Sequence, residues 1–436
     1  MTLTNSSKPG TSMTSVDHPR PQNDNEHQHK VTRLASVSDT LRTEGIGWIL
    51  RRLRYRSPLT PSGRAVHAGL RRLLGVLLAI PRAFARVLRR TPDSRDVLYA
   101  FYDLQVAPIS YDVSWFAATA NFTRHRMGLH RIHFVIVPGI KDGLREERKA
   151  YEGVVDPATR SWRLHNIVLP VLTLVPSFAG FSILPSRDAA RTLRVAAGPR
   201  VYPAHYEVAL PAAHHPAELL TETFDAGEEI GILRSTIQGL RYVERWLESR
   251  LSGRRLVTIT IRDYTFMPAR NSNLEAWAQF ARRLDSTKYF PVFVLDTERT
   301  LDPSPSAIAG FEVFREASWN AWLRMALYEL SYVNLGVNNG PLFMCAHNAR
   351  TRFLIFKILT PSVPQTTEEF MTKLGFKIGG QMPFATRFQR LVWEDDTLQV
   401  IEHEFVKLVH QIEESEPMSA GILASSTAAS ATGASS

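Results

Sequence analysis

From residue 256 to residue 358 the sequence alternates short, mostly apolar runs with segments of helical spacing, a rhythm that few folds accommodate. Leu256-Val-Thr-Ile-Thr-Ile-Arg262, Phe290-Pro-Val-Phe-Val-Leu-Asp296, Phe311-Glu-Val-Phe314, Val333-Asn-Leu-Gly-Val-Asn338 and Phe353-Leu-Ile-Phe-Lys-Ile358 read as strands. The stretches 273–284, 319–332 and 341–349 between them read as helices, and a closing helix is expected over 398–412. Runs rich in β-branched and aromatic residues must be covered on both faces, and the intervening helices supply that cover. This pattern calls for a doubly wound α/β domain with a parallel sheet.

The preceding stretch repeats the rhythm. Val97-Leu-Tyr-Ala-Phe-Tyr-Asp-Leu104 is strand-like, 111–127 carries Val113, Phe116, Ala117 and Ala120 at helical spacing, and Ile132-His-Phe-Val-Ile-Val-Pro-Gly139 is a strand closed by a turn dipeptide. Strand, helix and strand in succession form a βαβ unit, so a second parallel sheet is expected. The uncharged stretch 164–186 is long enough for a membrane span, but Pro170, Pro176 and Pro185 interrupt it. A buried strand followed by a loop and a short helix is expected there. The 436 residues suffice for two domains. The expected fold is therefore α/β, with Rossmann-like doubly wound domains at 96–250 and 254–412 and a cleft between them. The polar tails, 1–40 and 413–436, hold too few apolar residues to offset the entropy of ordering.

Lysine and arginine number 52 against 42 acids, a formal charge of +10. The excess is local: residues 51–90 contain eleven arginines and no acid or lysine, which leaves the rest of the chain nearly neutral. On a helix, 64–90 gathers Arg71, Arg72, Arg82, Arg86, Arg89 and Arg90 on one face and Leu73, Leu77, Ile80, Phe84 and Leu88 on the other. Residues 41–95 are thus expected to be a basic amphipathic helical segment lying on an anionic membrane surface, each arginine contributing about 1 kcal/mol. The uncharged run 73–81 is too short to cross a bilayer. The alternatives are packing on the protein's own core with the arginines solvated, or binding nucleic acid. Cys345 is the single cysteine, so no intramolecular disulfide or cysteine-based metal cluster can form. The N-terminus lacks the apolar core of a secretory signal. The expected location is cytoplasmic, peripherally attached to the inner face of the membrane.

In a doubly wound sheet, ligands bind beyond the C-terminal ends of the strands. Arg262 ends one strand and Arg270 and Asn271 follow in its loop, where a guanidinium fork matches phosphate oxygens. The competing reading pairs Arg262 with Asp263 and Arg270 with Glu275. Asn338-Asn339-Gly340-Pro341 ends another strand, with Asn or Gly capping a helix and Pro in its first turn; free N–H groups there would face a diphosphate. Asp296 is a further strand-end acid, suited to a ribose or sugar hydroxyl. His205, His214 and His215 lack metal spacing with a carboxylate, and no metal site is expected. The polar and aromatic stretch 381–396 reads either as a functional loop or as an inter-domain surface. No Walker loop, Gly-x-Gly-x-x-Gly or Gly-x-Ser-x-Gly occurs.

Several of these elements together resemble the donor-binding half of the GT-B glycosyltransferases. They are a strand ending in Arg262, the Pro291-Val-Phe-Val-Leu-Asp296 run, the Ala326-Leu-Tyr-Glu-Leu-Ser331 helix and Val337-Asn-Asn-Gly-Pro341. The heptosyltransferase and bacterial fucosyltransferase types are the most similar in flavour. Thr260-Ile261-Arg262-Asp263 keeps one arginine of the fucosyltransferase strand end, and Phe343 stands where the heptosyltransferase signature has histidine. The resemblance implies transfer of a sugar from a nucleotide-sugar donor to a glycan or lipid-linked acceptor, with no cofactor beyond that co-substrate. Arg262, Arg270, Asn271, Asp296, Asn338, Asn339 and Gly340 would hold the donor. A general base would come from the other domain, either Asp103 or Asp112, though Asp112 is equally placed to cap the helix that follows. Another transferase on the same architecture, a polysaccharide pyruvyl transferase, and a non-catalytic membrane-tethered scaffold are the alternatives.

Overall fold

The computed structural model describes residues 96–147, 149–211, 217 and 230–415. Outside them lie the tail 1–40, the basic segment 41–95 with Arg71, Arg72, Arg82, Arg86, Arg89 and Arg90, the histidines His214 and His215, and the C-terminal tail from 416. The described residues belong to one unit that begins at Asp93 and contains two parallel sheets.

The N-terminal half starts with β1 (Val97–Asp103), helix α1 (Val113–Arg126) and β2 (Arg131–Val137), as the sequence pattern requires. Its continuation differs from expectation. Helix α2 (Pro157–Arg163) runs into a π-turn (Leu164–Val168) and a further helical turn (Leu169–Leu172), and only then comes β3 (Phe178–Ile183). The prolines thus do not exclude helix from 164–172. The π-turn shifts the bonding, with Leu169 N–H donating to Leu164 O, so that Pro170 falls in a first turn where its missing N–H is no loss. Helix α3 (Arg187–Ala197) and β4 (Val201–Tyr202) complete the sheet in the order β3-β2-β1-β4.

The C-terminal half opens with helix α4 (Ile237–Leu251), which sequence position had assigned to the first domain. Its Val243 and Leu247 pack with Leu256, Phe290 and Val292 of the second sheet, so the boundary lies before it. Then follow β5 (Arg255–Thr260), α5 (Leu274–Arg283), β6 (Tyr289–Val294), β7 (Glu312–Val313), α6 (Ala321–Leu330), β8 (Val333–Val337), α7 (Gly340–Phe343) and β9 (Phe353–Phe356). A short helix α8 (Glu368–Lys373), β10 (Gln389–Leu391) and the closing helix α9 (Leu398–Ser415) end the half. The expected helix over 341–349 is in fact α7 followed by a 3-10 turn, Met344–His347.

The six strands lie in the order β10-β9-β8-β5-β6-β7, all parallel. Taken from β5, that is the doubly wound order in which the chain reverses direction across the sheet between its first and fourth strands. β5 and β8 approach closely because Gly336 has no side chain; a Cβ there would sit 2.5 Å from the Thr260 carbonyl oxygen. Fully buried Val257, Ile259, Val333 and Leu335 form the floor, each contributing roughly 1.5–3 kcal/mol by burial. A single apolar cluster joins the halves, running from Phe116 and Phe134 to Met344 and Ile355. No helix among the described residues is long and apolar enough to cross a membrane.

Candidate functional site

The loops leaving β5 and β8 meet over the crevice where the strand order reverses. Arg262 is only 6% exposed, and its guanidinium braces its own loop. Nη1 donates to Met267 O at 3.1 Å and to Asn271 Oδ1, Nη2 donates to Phe266 O at 2.8 Å, and the backbone N–H donates to Ser272 Oγ at 2.9 Å. Asn271 is the second brace: its Oδ1 accepts from Tyr264 N–H at 3.2 Å and its Nδ2 donates to Tyr264 O at 3.1 Å. The ion pairs of the competing reading, Arg262 with Asp263 and Arg270 with Glu275, do not form among the described residues; Asp263 pairs with Arg299 and Glu275 with Arg282.

Held by these braces, the loop carries Arg270 across to β8. Its Nη2 donates to Asn338 O at 3.0 Å, and its Nε is buried without a partner. Burial, then the neighbouring charge of Arg262, pushes the Arg270 pKa down to about 10, against an opposing pull from Asp112. Burial also lowers that of Arg262. Among the described residues neither arginine forms a salt bridge. Two guanidinium groups held close together without a carboxylate in contact are costly unless an anion joins them.

Asn338 uses its side chain to tie strand ends together, Nδ2 donating to Ile358 O at 3.0 Å. Asn339 caps α7 through Oδ1, which accepts from Leu342 N–H at 2.8 Å, while its Nδ2 is buried and unpartnered. Around Gly340, where a phosphate seat is expected, most of the N–H donors of the helix start are absent or already bonded. Helix α7 has four residues, Pro341 has no N–H, and the Leu342 and Phe343 N–H groups both go to Asn339. The space above Gly340 is filled by Tyr111 of the other half, whose Cβ would lie 2.8 Å from a Cβ added there. The glycine serves contact between the halves. Asp296, after β6, accepts from the N–H groups of Glu298 (3.4 Å) and Asp263 (3.3 Å), and burial pushes its carboxyl up.

The opposite wall is the start of α1. Asp112 makes no capping bond. Its carboxylate accepts from Ser110 Oγ at 2.9 Å and faces the cleft. Asp103 does not. It is 3% exposed, bound by Arg187 through two bonds (2.8 and 2.9 Å), by the Tyr206 hydroxyl at 2.6 Å and by Gln105 N–H at 2.9 Å. Its lone pairs are committed, and it is absent from the cleft lining. Of the two candidate bases, only Asp112 reaches the cleft.

The cleft encloses about 670 Å³ between the halves, within the range of small-molecule sites. Of the expected site residues it is lined by Asp112, Arg262, Arg270, Asp296, Asn338, Asn339 and Gly340, but not by Asp103 or Asn271. Sequence reasoning missed Arg163 and Tyr264, which close one end: Arg163 Nη2 donates to Tyr264 OH at 3.0 Å and to Glu298 Oε1 at 3.1 Å, linking the halves. Burial pushes the Tyr264 pKa up to about 12. Nothing local marks Arg163, whose partners lie more than a hundred residues away. The aromatics Tyr264 and Phe266 in the loop after β5 were a usable signal. The stretch 381–396 is structural: Gln389 bonds the carbonyls of Asn348 (2.9 Å) and Thr351 (3.1 Å), and Asp396 accepts from Asn273 N–H (2.6 Å) and Trp277 Nε1 (2.8 Å).

No protein-family model matches the chain, and no curated protein matches it in sequence. Solved structures do match. A glycosyl transferase family 9 structure from Veillonella parvula is 10% identical, with 72% of this chain and 97% of that one covered and a TM-score of 0.47. The ADP-heptose lipopolysaccharide heptosyltransferase II of E. coli is 11% identical, with 73% and 99% covered and a TM-score of 0.42. The wall teichoic acid polymerase TagF is 8% identical, with 77% and 91% covered and a TM-score of 0.29.

Proposed function

We propose that the chain is a glycosyltransferase of the GT-B kind, taking a nucleotide-sugar donor in the cleft and moving its sugar to a hydroxyl of a glycan or lipid-linked acceptor. The observation that carries this reading is the unpartnered Nε of Arg270, beside Arg262 and across from Asp112, at the reversal point of a doubly wound sheet.

The donor diphosphate would accept from Arg270 Nε–H and draw on the charge of Arg262, which holds the loop in place. As the bond from the sugar's anomeric carbon to the diphosphate oxygen lengthens, its electron pair moves onto the diphosphate. Guanidinium groups already in position stabilise that charge with little reorganisation and without a metal. The acceptor oxygen forms the new bond to the anomeric carbon, and its proton passes to the Asp112 carboxylate. Ser110 Oγ, donating to Asp112 Oδ2 at 2.9 Å, fixes the carboxylate's direction. Asp296 is the candidate for a ribose or sugar hydroxyl.

The arginines of 51–90, outside the described residues, support attachment to an anionic membrane, where a lipid-linked acceptor would be found. Saturation-transfer NMR of the full chain against a panel of nucleoside diphosphates and nucleotide sugars tests the cleft reading. Saturable binding that is lost on Arg270→Met is expected; no binding by any nucleotide would remove it. Co-sedimentation with anionic and neutral vesicles tests attachment: retention by anionic vesicles only is expected, and equal retention by both, or by neither, counts against it.

A further inference from the structure

Of the strands that end the two sheets, β4 and β7 have two residues each and β10 has three. The remaining one, β3, has six, and among the described residues it pairs with β2 alone. A free sheet edge is a template for another strand, and proteins blunt such edges with short strands, charge or proline. β3 is neither short nor charged: no lysine, arginine, aspartate or glutamate occurs from 164 to 186. Phe181 is 40% exposed and Ile183 48%.

The bonding groups along this edge follow a definite pattern. The register with β2 shifts at Ala179, so that Ile132 stands beside Phe178 and His133 beside Gly180; from Gly180 to Ile183 the ladder is regular. Leu184 N–H donates to Ile136 O of β2 at 3.0 Å. Bonding direction alternates from residue to residue, so Ser182 also turns its N–H and C=O toward β2, while those of Phe181 and Ile183 turn to the open side. Two apart in the strand, Phe181 and Ile183 also share one face of the sheet.

A second β3 fits this edge. An antiparallel copy related by a two-fold axis at Ser182 sets Phe181 opposite the partner's Ile183, and Ile183 opposite the partner's Phe181. Both pairs join residues whose bonding groups face outward, so each pair exchanges both of its N–H···O bonds. Each also sets an aromatic side chain against a β-branched one, a favourable cross-strand combination. An axis at Phe181 would instead set Ile183 against the register shift at Ala179. Charge agrees as well: two uncharged edges meet without repulsion, whereas a charged strand would find no counter-charge on β3.

We propose that two copies of this chain form a symmetric dimer through β3, paired antiparallel about Ser182, which joins their four-stranded sheets into one. The interface is independent of the cleft and of the reaction proposed for it.

Sedimentation velocity of the full chain, over about a hundredfold range of concentration, reads the dimer Kd of wild type and of two double variants. Phe181→Lys with Ile183→Lys sets like charges opposite each other in this register, and should raise the Kd more than about tenfold. Phe181→Lys with Ile183→Glu sets opposite charges there, and should dimerise within about tenfold of wild type. Both positions are exposed, so circular dichroism should show the same fold in all three proteins. A wild type that stays monomeric overturns the proposal. So does a dimer that survives the change to two lysines, or one that is lost equally in both variants.

Discussion

Replacing Arg270 by methionine should move stability and binding in opposite directions, and the size of each effect follows from the geometry. Burial and the nearby Arg262 hold the Arg270 pKa at about 10, which corresponds to roughly 3 kcal/mol against the charged form of a half-buried side chain. Solvent screening at that exposure reduces the cost to about 2 kcal/mol. Among the described residues, the one compensating bond is Nη2 to Asn338 O, about 1 kcal/mol net. Arg270→Met should therefore raise the stability of the unliganded chain by about 1 kcal/mol, a melting shift of roughly 2 °C. Binding of a nucleoside diphosphate should fall by about 2–3 kcal/mol, or some 30- to 150-fold, because a hydrogen bond to a charged group is lost at the point where the anion would sit. Thermal melts with and without the diphosphate read both effects: ligand should raise the wild-type midpoint and leave the variant's unchanged. A variant that melts lower and still responds to ligand as wild type does would refute the reasoning and make Arg270 a structural brace.

The two acids of the N-terminal half should separate cleanly. Asp103→Asn should cost about 3 kcal/mol in urea unfolding because Arg187 is left largely buried without its partner, whereas Asp112→Asn should change stability by less than about 1 kcal/mol and lower turnover by roughly 10²- to 10⁴-fold. Gly340→Ala should destabilise by about 1–3 kcal/mol, because the new methyl would meet Tyr111 Cβ at 2.8 Å; unfolding at the wild-type urea concentration would show that the halves do not meet there. His347 is fully buried, both ring nitrogens lack partners, and burial pushes its pKa down to about 3. The folded state therefore refuses a proton that the unfolded chain takes up below about pH 6.5, so stability is intact above that pH and falls as pH drops toward 3. At pH 5 the loss should be about 2 kcal/mol, and His347→Phe, which suits the surrounding Trp115 and Phe384 rings, should flatten the wild-type decline by that amount.

The strands of 256–358 were legible because runs buried on both faces carry their own signature, and β5, β6, β8 and β9 appear within two residues of expectation. β10 was not, since it has three residues, two of them polar, and is defined by pairing with β9 rather than by its composition. Pro170 was read as a breaker because proline's effect depends on which helical turn it occupies, and the π-turn that sets this has no local sequence mark. In the site, Arg270 and Asp112 were visible as charged residues on strand-end loops. Asp103 looked the same, and what distinguishes it are Arg187 and Tyr206, 84 and 103 residues distant. Gly340 stood out as part of a helix start facing a diphosphate, a pattern that does not reveal that a Cβ there would meet Tyr111. What occupies the space is a tyrosine from the other half, information that exists only once the two sheets are brought together.

A structure of the chain with a bound nucleoside diphosphate tests the central claim most directly. The account predicts phosphate oxygens within hydrogen-bonding distance of Arg270 Nε, with the Asp112 carboxylate facing the open side of the terminal phosphate. A diphosphate seated elsewhere on the molecule, with Arg270 Nε still unpartnered, would contradict it.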